Sequence, residues 1–481
     1  MLYIYKGEEI KKIDRQAESL GMDSFTLMEA AGSGLFRQLT DDFETSKQCF
    51  LILAGKGNNG GDGIVLARYL KTAGASCTLC FPAGLPKTEP ARRHLDYYEA
   101  LGYSYETEPF NLTATVMIDA LLGAGTSLPL STEMKNLCVW LNSQKAERVS
   151  IDVPTGASTD TGNCDSSVIH AHKTYIVHGY KPSRFLYPAA SCYGEPSLIE
   201  IGLPQTARWT ISTVSATSPS VQFKGSNAHK GTFGHGLLIA GTKSMPGSAA
   251  LAALGCVSSG AGKLTVQTAE EAVSVIASHV PEAMYDFHTG VEDAHSFSAI
   301  AAGCGRPADD AMEDIVQQLL QQEKPVILDA GALAPRSYKA AKCSVIVTPH
   351  PGEFARMTGK QTKDIQLNRI QEASQYAVEQ GVTVVLKGEY TVIAFSDGSG
   401  VVNTTGNEGL SKGGSGDTLT GILLALLMRH SSLEEAVKDA VYLHGLCADI
   451  WKRNRPAQAL RPFNLHDWIP AAISEQKERG D

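Results

Sequence analysis

The stretch GKGNNGGDG at residues 55–63 sets Asn58, Asn59 and Asp62 among glycines. Carboxylate and amide oxygens in that setting suit a monovalent or divalent cation. Glycines let backbone N–H groups approach an anion at the start of a helix. Gly55, Gly57 and Gly60 satisfy a GxGxxG spacing, but a dinucleotide-binding motif also wants an acidic residue about 20 positions later. The corresponding SCTLCFPAGL has none, which argues against a hydride-transferring dehydrogenase. Turn geometry is the plainer explanation of Asn and Asp in such a loop. Two further aspartates end apolar runs, Asp119 in IDALLGAG and Asp152 in SIDVPTG, the latter with Thr155 close by. A carboxylate at a strand end suits general acid–base chemistry, and Asp152 is the first choice for it. Lys181, in GYKP, is a weaker candidate, more simply a surface lysine in a turn.

A second constellation is NEGLSKGGSGDTLTG at 407–421, ahead of the apolar ILLALLM. Gly413, Gly414 and Gly416 allow successive N–H groups to form an anion-binding nest at a helix N-terminus. Asp417 beside that nest is placed to deprotonate a hydroxyl that attacks a phosphoryl group. Its plainer reading is a helix cap.

These residues need a scaffold, and the apolar pattern supplies one. In the first half CFLILA at 49–54 reads as a strand, 64–74 as a helix and 75–81 as a strand, a parallel crossover unit. Further strands are expected at 115–120 and 148–153. The loops beyond the strand ends should converge on one crevice. Between 202 and 225 the text turns rich in Ser, Thr and Pro, so a domain boundary is placed near 212. The second half restarts as another α/β array, with strands expected at 236–241, 263–268, 298–302, 325–329, 345–348 and 382–386, then a Gly-rich loop and a long helix. No repeat aligns the halves, which points to a fusion of two different folds.

Composition narrows the class. A net charge of -9 with 43% hydrophobic and 19% charged residues fits a globular chain and disfavours nucleic-acid binding driven by basic charge. The 46 glycines exceed the usual share of about 7% and point to tight ligand loops. The start of the chain lacks the apolar core of a signal peptide and no run is long enough to span a bilayer, so a soluble, cytoplasmic protein with no membrane partner is expected. Ten scattered cysteines read as reduced thiols. The CxxC of Cys77 and Cys80 reads as strand cysteines rather than a zinc or redox site.

In order and spacing, GKGNNGGDG, IDALLGAG and SIDVPTG resemble the NAD(P)H-hydrate epimerase family over about residues 1–210. The resemblance implies that Asn58, Asn59, Gly60, Gly61 and Asp62 contact the hydrated cofactor. Gly123, Ala124, Gly125, Thr126, Ser127, Leu128 and Pro129 would form its phosphate-side loop, and Asp152 would meet the nicotinamide end. Asn59, Asp119 and Thr155 would hold K⁺. One departure is LMEAAG, where an amide or basic residue is expected near Ala30.

HKGTFGHGLLIAG, MPGSAALAALGCVSSGAGKL, TPHPGEF, LKGEYTV and NEGLSKGGSGDTLTG likewise resemble ADP-dependent NAD(P)H-hydrate dehydratases of the ribokinase-like superfamily. That implies cofactor contacts from Ala249, Gly305, His350 and Asp417. It also implies adenine-nucleotide contacts from Lys387, Gly388, Glu389, Tyr390, Thr391 and Gly416, with Asp417 as catalytic base and Mg²⁺ neutralising charge. A second departure is AAGCGRP at 301–307, with Pro307 in place of a glycine.

The implied whole is an α/β protein of two domains. An N-terminal Rossmann-like parallel sheet with flanking helices, 1–212, would epimerise R and S hydrates. A C-terminal ribokinase-like α/β/α domain, 213–481, would dehydrate the S form of NADHX or NADPHX with ADP, giving AMP and phosphate. A homo-oligomer is expected. The alternatives are a ribokinase-type small-molecule kinase with a regulatory N-terminal half, and an N-terminal half that only senses nucleotides or binds proteins.

Overall fold

In the N-terminal half each apolar run forms a short strand that is buried along most of its length, as in Cys49–Ala54 and Val116–Ala120. Such runs are the mark of parallel strands covered on both faces. The computed structural model describes residues 2–125, 127–212, 229–291 and 294–480. It divides into two units, Leu2–Ala207 on one side and Arg208–Ile365 with Arg369–Asp481 on the other. Thr126 and most of the Ser/Thr/Pro-rich stretch lie outside the described residues.

Among the described residues the N-terminal unit has a seven-stranded sheet in the order Tyr105–Glu106, Ser76–Cys80, Cys49–Ala54, Val116–Ala120, Glu147–Ile151, Lys173–Val177, Glu195–Ile199. Every pairing is parallel. Strand order reverses between Cys49–Ala54 and Val116–Ala120, and beyond their carboxyl ends lies the crevice that such a reversal opens. Helix Ser24–Asp42 packs Leu35 and Leu39 into the core on one face of the sheet, while Leu137 and Leu141 of helix Thr132–Ser143 serve a second cluster.

The helix after the first glycine loop begins at Asn58, not near Ile64. The loop residues Asn58, Asn59 and Asp62 are therefore its opening turns. Gly60 explains the tightness, since a Cβ there would fall 2.0 Å from the carbonyl oxygen of Gly55.

The C-terminal sheet runs Trp209–Ser212, Gly400–Asn403, Thr391–Ala394, Thr383–Leu386, Val345–Val347, Val326–Leu328, Ala299–Ala302, His235–Ile239, Lys263–Gln267, Met284–Asp286. The pairings are parallel except for the two made by Thr391–Ala394. The antiparallel pair Thr391–Ala394 and Gly400–Asn403 lies where the sequence suggests only a Gly-rich loop. Trp209–Ser212, on the N-terminal side of a boundary at 212, pairs with Gly400–Asn403 in this sheet.

Helix Ser415–Leu427 is buried along most of its length, each large apolar side chain contributing about 1.5–3 kcal/mol. It crosses helix Pro246–Ser258 so closely that a Cβ on Gly421 would lie 1.9 Å from the Ala252 carbonyl oxygen. That contact fixes the helix whose first turn carries Asp417. No helix among the described residues is long and apolar enough to cross a membrane.

Candidate functional site

In the N-terminal unit the loops beyond the strand ends enclose a cavity of about 460 Å³. Asn58, Asn59, Asp62, Gly123, Ala124, Gly125 and Asp152 line it. Gly60 and Gly61 are buried beneath it and serve packing. Leu128 and Pro129 instead line a neighbouring hollow with Asn163 and Asp165. Ser127 is exposed, and Thr126 lies outside the described residues. The early helix does reach the cavity, through Leu27, Met28 and Ala31 rather than Ala30.

Asp152 follows strand Glu147–Ile151 with φ 68°, and His178 follows Lys173–Val177 with φ 67°. Left-handed backbone at a non-glycine residue costs about 1–3 kcal/mol and collects at working sites. The Lys181 ammonium is ion-paired with Asp152 Oδ1 and donates to the Val177 carbonyl at 2.8 Å. Lys181 is 1% exposed, which corrects the surface-lysine reading. Both buried ring nitrogens of His178 lack a partner. Burial, reinforced by Lys181, pushes its imidazole down to about 4, so the ring is neutral.

Asp119 is completely buried. It accepts from Leu121 N at 3.2 Å, Ser150 Oγ at 2.9 Å, Thr155 N at 2.9 Å and Thr155 Oγ1 at 2.7 Å. Burial raises its carboxyl above the usual range against those four donors. Next to this knot Leu122 N donates to Thr155 Oγ1 at 3.1 Å, and Asn59 lies against Gly123. Both amide atoms of Asn59 are buried without a partner. An amide left unsatisfied in a polar pocket is the mark of a ligand position. Sequence reasoning missed Asp14, His178 and Thr88, which the fold brings to the same cavity.

In the C-terminal unit Asp417 sits in the first turn of its helix, behind Gly414 at φ 101°. Burial, then the nearby Asp329, raises its carboxyl, against hydrogen bonds from Ser248 and Cys304. Acid oxygens of Asp329 and Asp417 and the Cys304 sulfur lie within 4.8 Å of one another. Lys387 Nζ donates to Asp329 Oδ1 at 2.8 Å and Thr420 Oγ1 to Oδ2 at 3.0 Å. Burial alone would raise Asp329, but Lys387 together with hydrogen bonds from Thr348 and Thr420 holds the carboxyl below its usual range. Burial alone would lower the Lys387 ammonium, and Asp329 with Glu353 hold it above.

Gly416 faces this pair, its place for a Cβ 3.1 Å from Lys387 Nζ. Gly305, at φ 64°, packs against Ser248 and the Met245 carbonyl. Ala249 is wholly buried against Gly241. His350 caps helix Pro351–Thr358, Nδ1 accepting from Gly352 N at 3.0 Å and Glu353 N at 3.3 Å, with the ring more than half exposed. Gly388 and Glu389 are exposed, and Tyr390 and Thr391 half-buried, on the turn beyond Lys387. Arg369, unassigned from sequence, lies under that turn. It donates to the Leu386 carbonyl at 2.7 Å and fills the space a Gly388 side chain would need. Asp329 carried a legible signal, an Asp at a strand end before Ala-Gly; Arg369 and Cys304 carried none.

Two families match the chain, NAD(P)H-hydrate dehydratase over residues 236–471 and the N-terminal part of YjeF-related proteins over 24–183. The chain is 30% identical to a bifunctional NAD(P)H-hydrate repair enzyme of Moorella thermoacetica, over 99% of this chain and 98% of that one. It is 45% identical to an ADP-dependent (S)-NAD(P)H-hydrate dehydratase of Bacillus subtilis, over 54% of this chain and 96% of that one. The crystal structure of an ADP/ATP-dependent NAD(P)H-hydrate dehydratase from Bacillus subtilis, co-crystallised with ATP and Mg²⁺, superposes with a TM-score of 0.53. It is 42% identical and covers 56% of this chain and 98% of its own.

Proposed function

The chain belongs to the family of bifunctional NAD(P)H-hydrate repair enzymes, and from that membership we infer how its two sites divide the work. The N-terminal unit interconverts the R and S hydrates of NAD(P)H. The ribokinase-like C-terminal unit dehydrates the S form at the expense of ADP. The observation that carries this reading is the pairing, in one chain, of a carboxyl-lined cavity with a glycine nest that holds an aspartate.

In our reading the epimerase domain spans 1–212 by sequence, its packed unit ending at Ala207, and the dehydratase domain 213–481. Asn58, Asn59, Asp62 and Gly123 to Gly125 bind the hydrated cofactor, and Asp152 works at the carbon that carries the hydroxyl. K⁺ fits the donor set of Asn59, Asp119 and Thr155, all hard oxygens, and the unpartnered Asn59 amide supports a ligand there. K⁺ would supply a fixed positive charge beside the cavity.

In the dehydratase the raised carboxyl of Asp417 favours proton abstraction from the substrate hydroxyl. The hydroxyl oxygen attacks the terminal phosphorus of ADP and AMP leaves. The nest N–H groups stabilise the charge that develops. Loss of phosphate, with a proton from the adjoining ring carbon, restores the dihydronicotinamide, the ring nitrogen lone pair driving the departure. Lys387 to Thr391 and Gly416 hold the nucleotide, and Ala249, Gly305 and His350 the hydrate. Asp417 and Asp329 supply the oxygens Mg²⁺ prefers, Cys304 being too soft a ligand. Mg²⁺ would neutralise phosphate charge.

The test is absorbance in the reduced-nicotinamide band, with mixed R and S hydrates of NADH or NADPH, Mg²⁺, K⁺ and ADP or ATP. Complete ADP-dependent recovery, abolished in Asp417→Ala, is the expected result. Recovery that stops at the S fraction removes the epimerase assignment. A stable phosphorylated product instead points to a small-molecule kinase. Exchange of K⁺ for Li⁺ tests the cation site, and light scattering tests the expected homo-oligomer.

A further inference from the structure

The N-terminal unit treats the carboxyl groups that line its cavity, Asp14, Asp62 and Asp152, and the fully buried Asp119 outside that lining in different ways. Asp119 receives four protein donors and Asp152 is clamped by Lys181. Asp14, from helix Gly7–Ser19, and Asp62, from helix Asn58–Thr72, line the same cavity with no hydrogen-bond donor to either among the described residues. A carboxylate left without donors beside other carboxylates is a poor anion, because like charges in one low-dielectric site cannot all ionise. Burial, and after it Asp152 and Asp14, pushes Asp62 well above the usual carboxylate range. Burial likewise raises Asp14, with Glu18 and Asp152 adding to it and Lys181 opposing. The other groups on the cavity wall do not supply the missing proton. His178, which lines the same cavity, is neutral, and its buried ring nitrogens have no partner. Lys181 is committed to Asp152, and Lys11 stands at the exposed rim.

We propose that Asp14 and Asp62 form a proton-holding carboxyl pair at the epimerisation centre, with Asp14 a catalytic residue supplied by the first helix. The pair protonates the leaving hydroxyl while Asp152 is held in its ion pair with Lys181. This rests on the epimerase reading above. The neutral carboxyl gives its proton to the hydroxyl on the carbon beside the ring nitrogen. The C–O bond breaks with the nitrogen lone pair forming C=N⁺, and water and a carboxylate remain. Water then adds to either face of the planar cation and its proton returns to a carboxylate, so no atom or electron is gained or lost. Carboxyls placed in different environments, some ion-paired and some without donors, are the arrangement that such acid–base chemistry uses.

The experiment follows R/S interconversion by chromatography in K⁺ without ADP, where dehydration is silent, in the full chain and in Asp14→Asn, Asp14→Glu and Asp62→Asn. Asp14→Asn should slow interconversion about 10²-fold or more. Binding of the hydrate mixture by calorimetry should stay within a few-fold, and ADP-dependent dehydration of the S hydrate should be unchanged. Asp14→Glu, which keeps a titrating carboxyl, should recover part of the rate. Interconversion at the native rate in Asp14→Asn, a loss explained wholly by weaker binding, or a Glu variant no better than Asn would each overturn the proposal. A native chain that does not interconvert the epimers at all overturns the epimerase reading itself, and this inference with it.

Discussion

The N-terminal cavity gathers Asp14, Asp62 and Asp152 around the buried Lys181, whereas the C-terminal site pairs Asp329 with Lys387 and Thr420 and leaves Asp417 against a glycine nest. The first site has more carboxyls than cations, which suits a reaction that does nothing but move one proton and one water. The second site sets Asp417 in the first turn of a helix behind Gly414, and a helix N-terminus favours an anion, which suits phosphoryl transfer. The strain is distributed accordingly. In the N-terminal unit two side-chain-bearing residues at the cavity, Asp152 and His178, sit at positive φ, whereas the C-terminal site has Ala330 beside Asp329 and otherwise places glycines there, Gly303, Gly305 and Gly414. Chemistry done by side chains needs a Cβ even where the backbone resists it. Chemistry done by backbone amides does not.

The contrast is broken most severely at Asp417. Asp417→Asn should lower dehydration about 10³-fold or more and leave R/S interconversion intact. An equal loss of both activities would mean that the sites are not separable. Lys387→Met leaves Asp329 buried and uncompensated, so the C-terminal unit should lose about 3–5 kcal/mol in urea unfolding. Adding Asp329→Asn should restore part of that, and no restoration would show the ion pair to be incidental.

Glycines of one motif should separate. In Gly60→Ala the new methyl meets the Gly55 backbone and interconversion should fall, with a stability loss of about 1–3 kcal/mol. Gly57→Ala, with open space around it, should unfold within about 0.5 kcal/mol of native. Similar losses at both would put the role of the motif in backbone freedom rather than packing.

A last test concerns His178. Its imidazole is neutral when folded, so its contribution to stability is complete above pH 6.5 and is lost as pH falls towards 4. The native urea midpoint should therefore drop more steeply across that window than that of His178→Phe, which keeps the aromatic stack on Tyr5. Parallel curves would show that the ring protonates without unfolding the unit.

Much of this was legible. Short apolar runs ending in Asp or Gly marked the strands at Cys49–Ala54, Val116–Ala120 and Glu147–Ile151 to within a residue or two, because strands buried on both faces leave no other pattern. The helix start at Asn58 was not legible, since glycines and asparagines read as loop until their amides are seen to continue a helical turn. The hairpin Thr391–Ala394 with Gly400–Asn403 was missed for a related reason. Four-residue strands around Asp-Gly-Ser-Gly carry too little pattern to stand out. Lys181 looked like a surface residue because its sequence neighbours are turn formers, and only packing buries it.

The sequence by itself determined the α/β class, the two-part organisation and the loops that carry Asp62, Asp152 and Asp417, because glycine spacing and apolar period are local properties of the chain. The tertiary structure alone decided which charges meet. Asp14 and Asp62, 48 positions apart in the sequence, share one cavity, and Asp329 finds Lys387 across the sheet. The protonation of a buried carboxyl depends on the neighbours that folding gives it, and no local pattern records them.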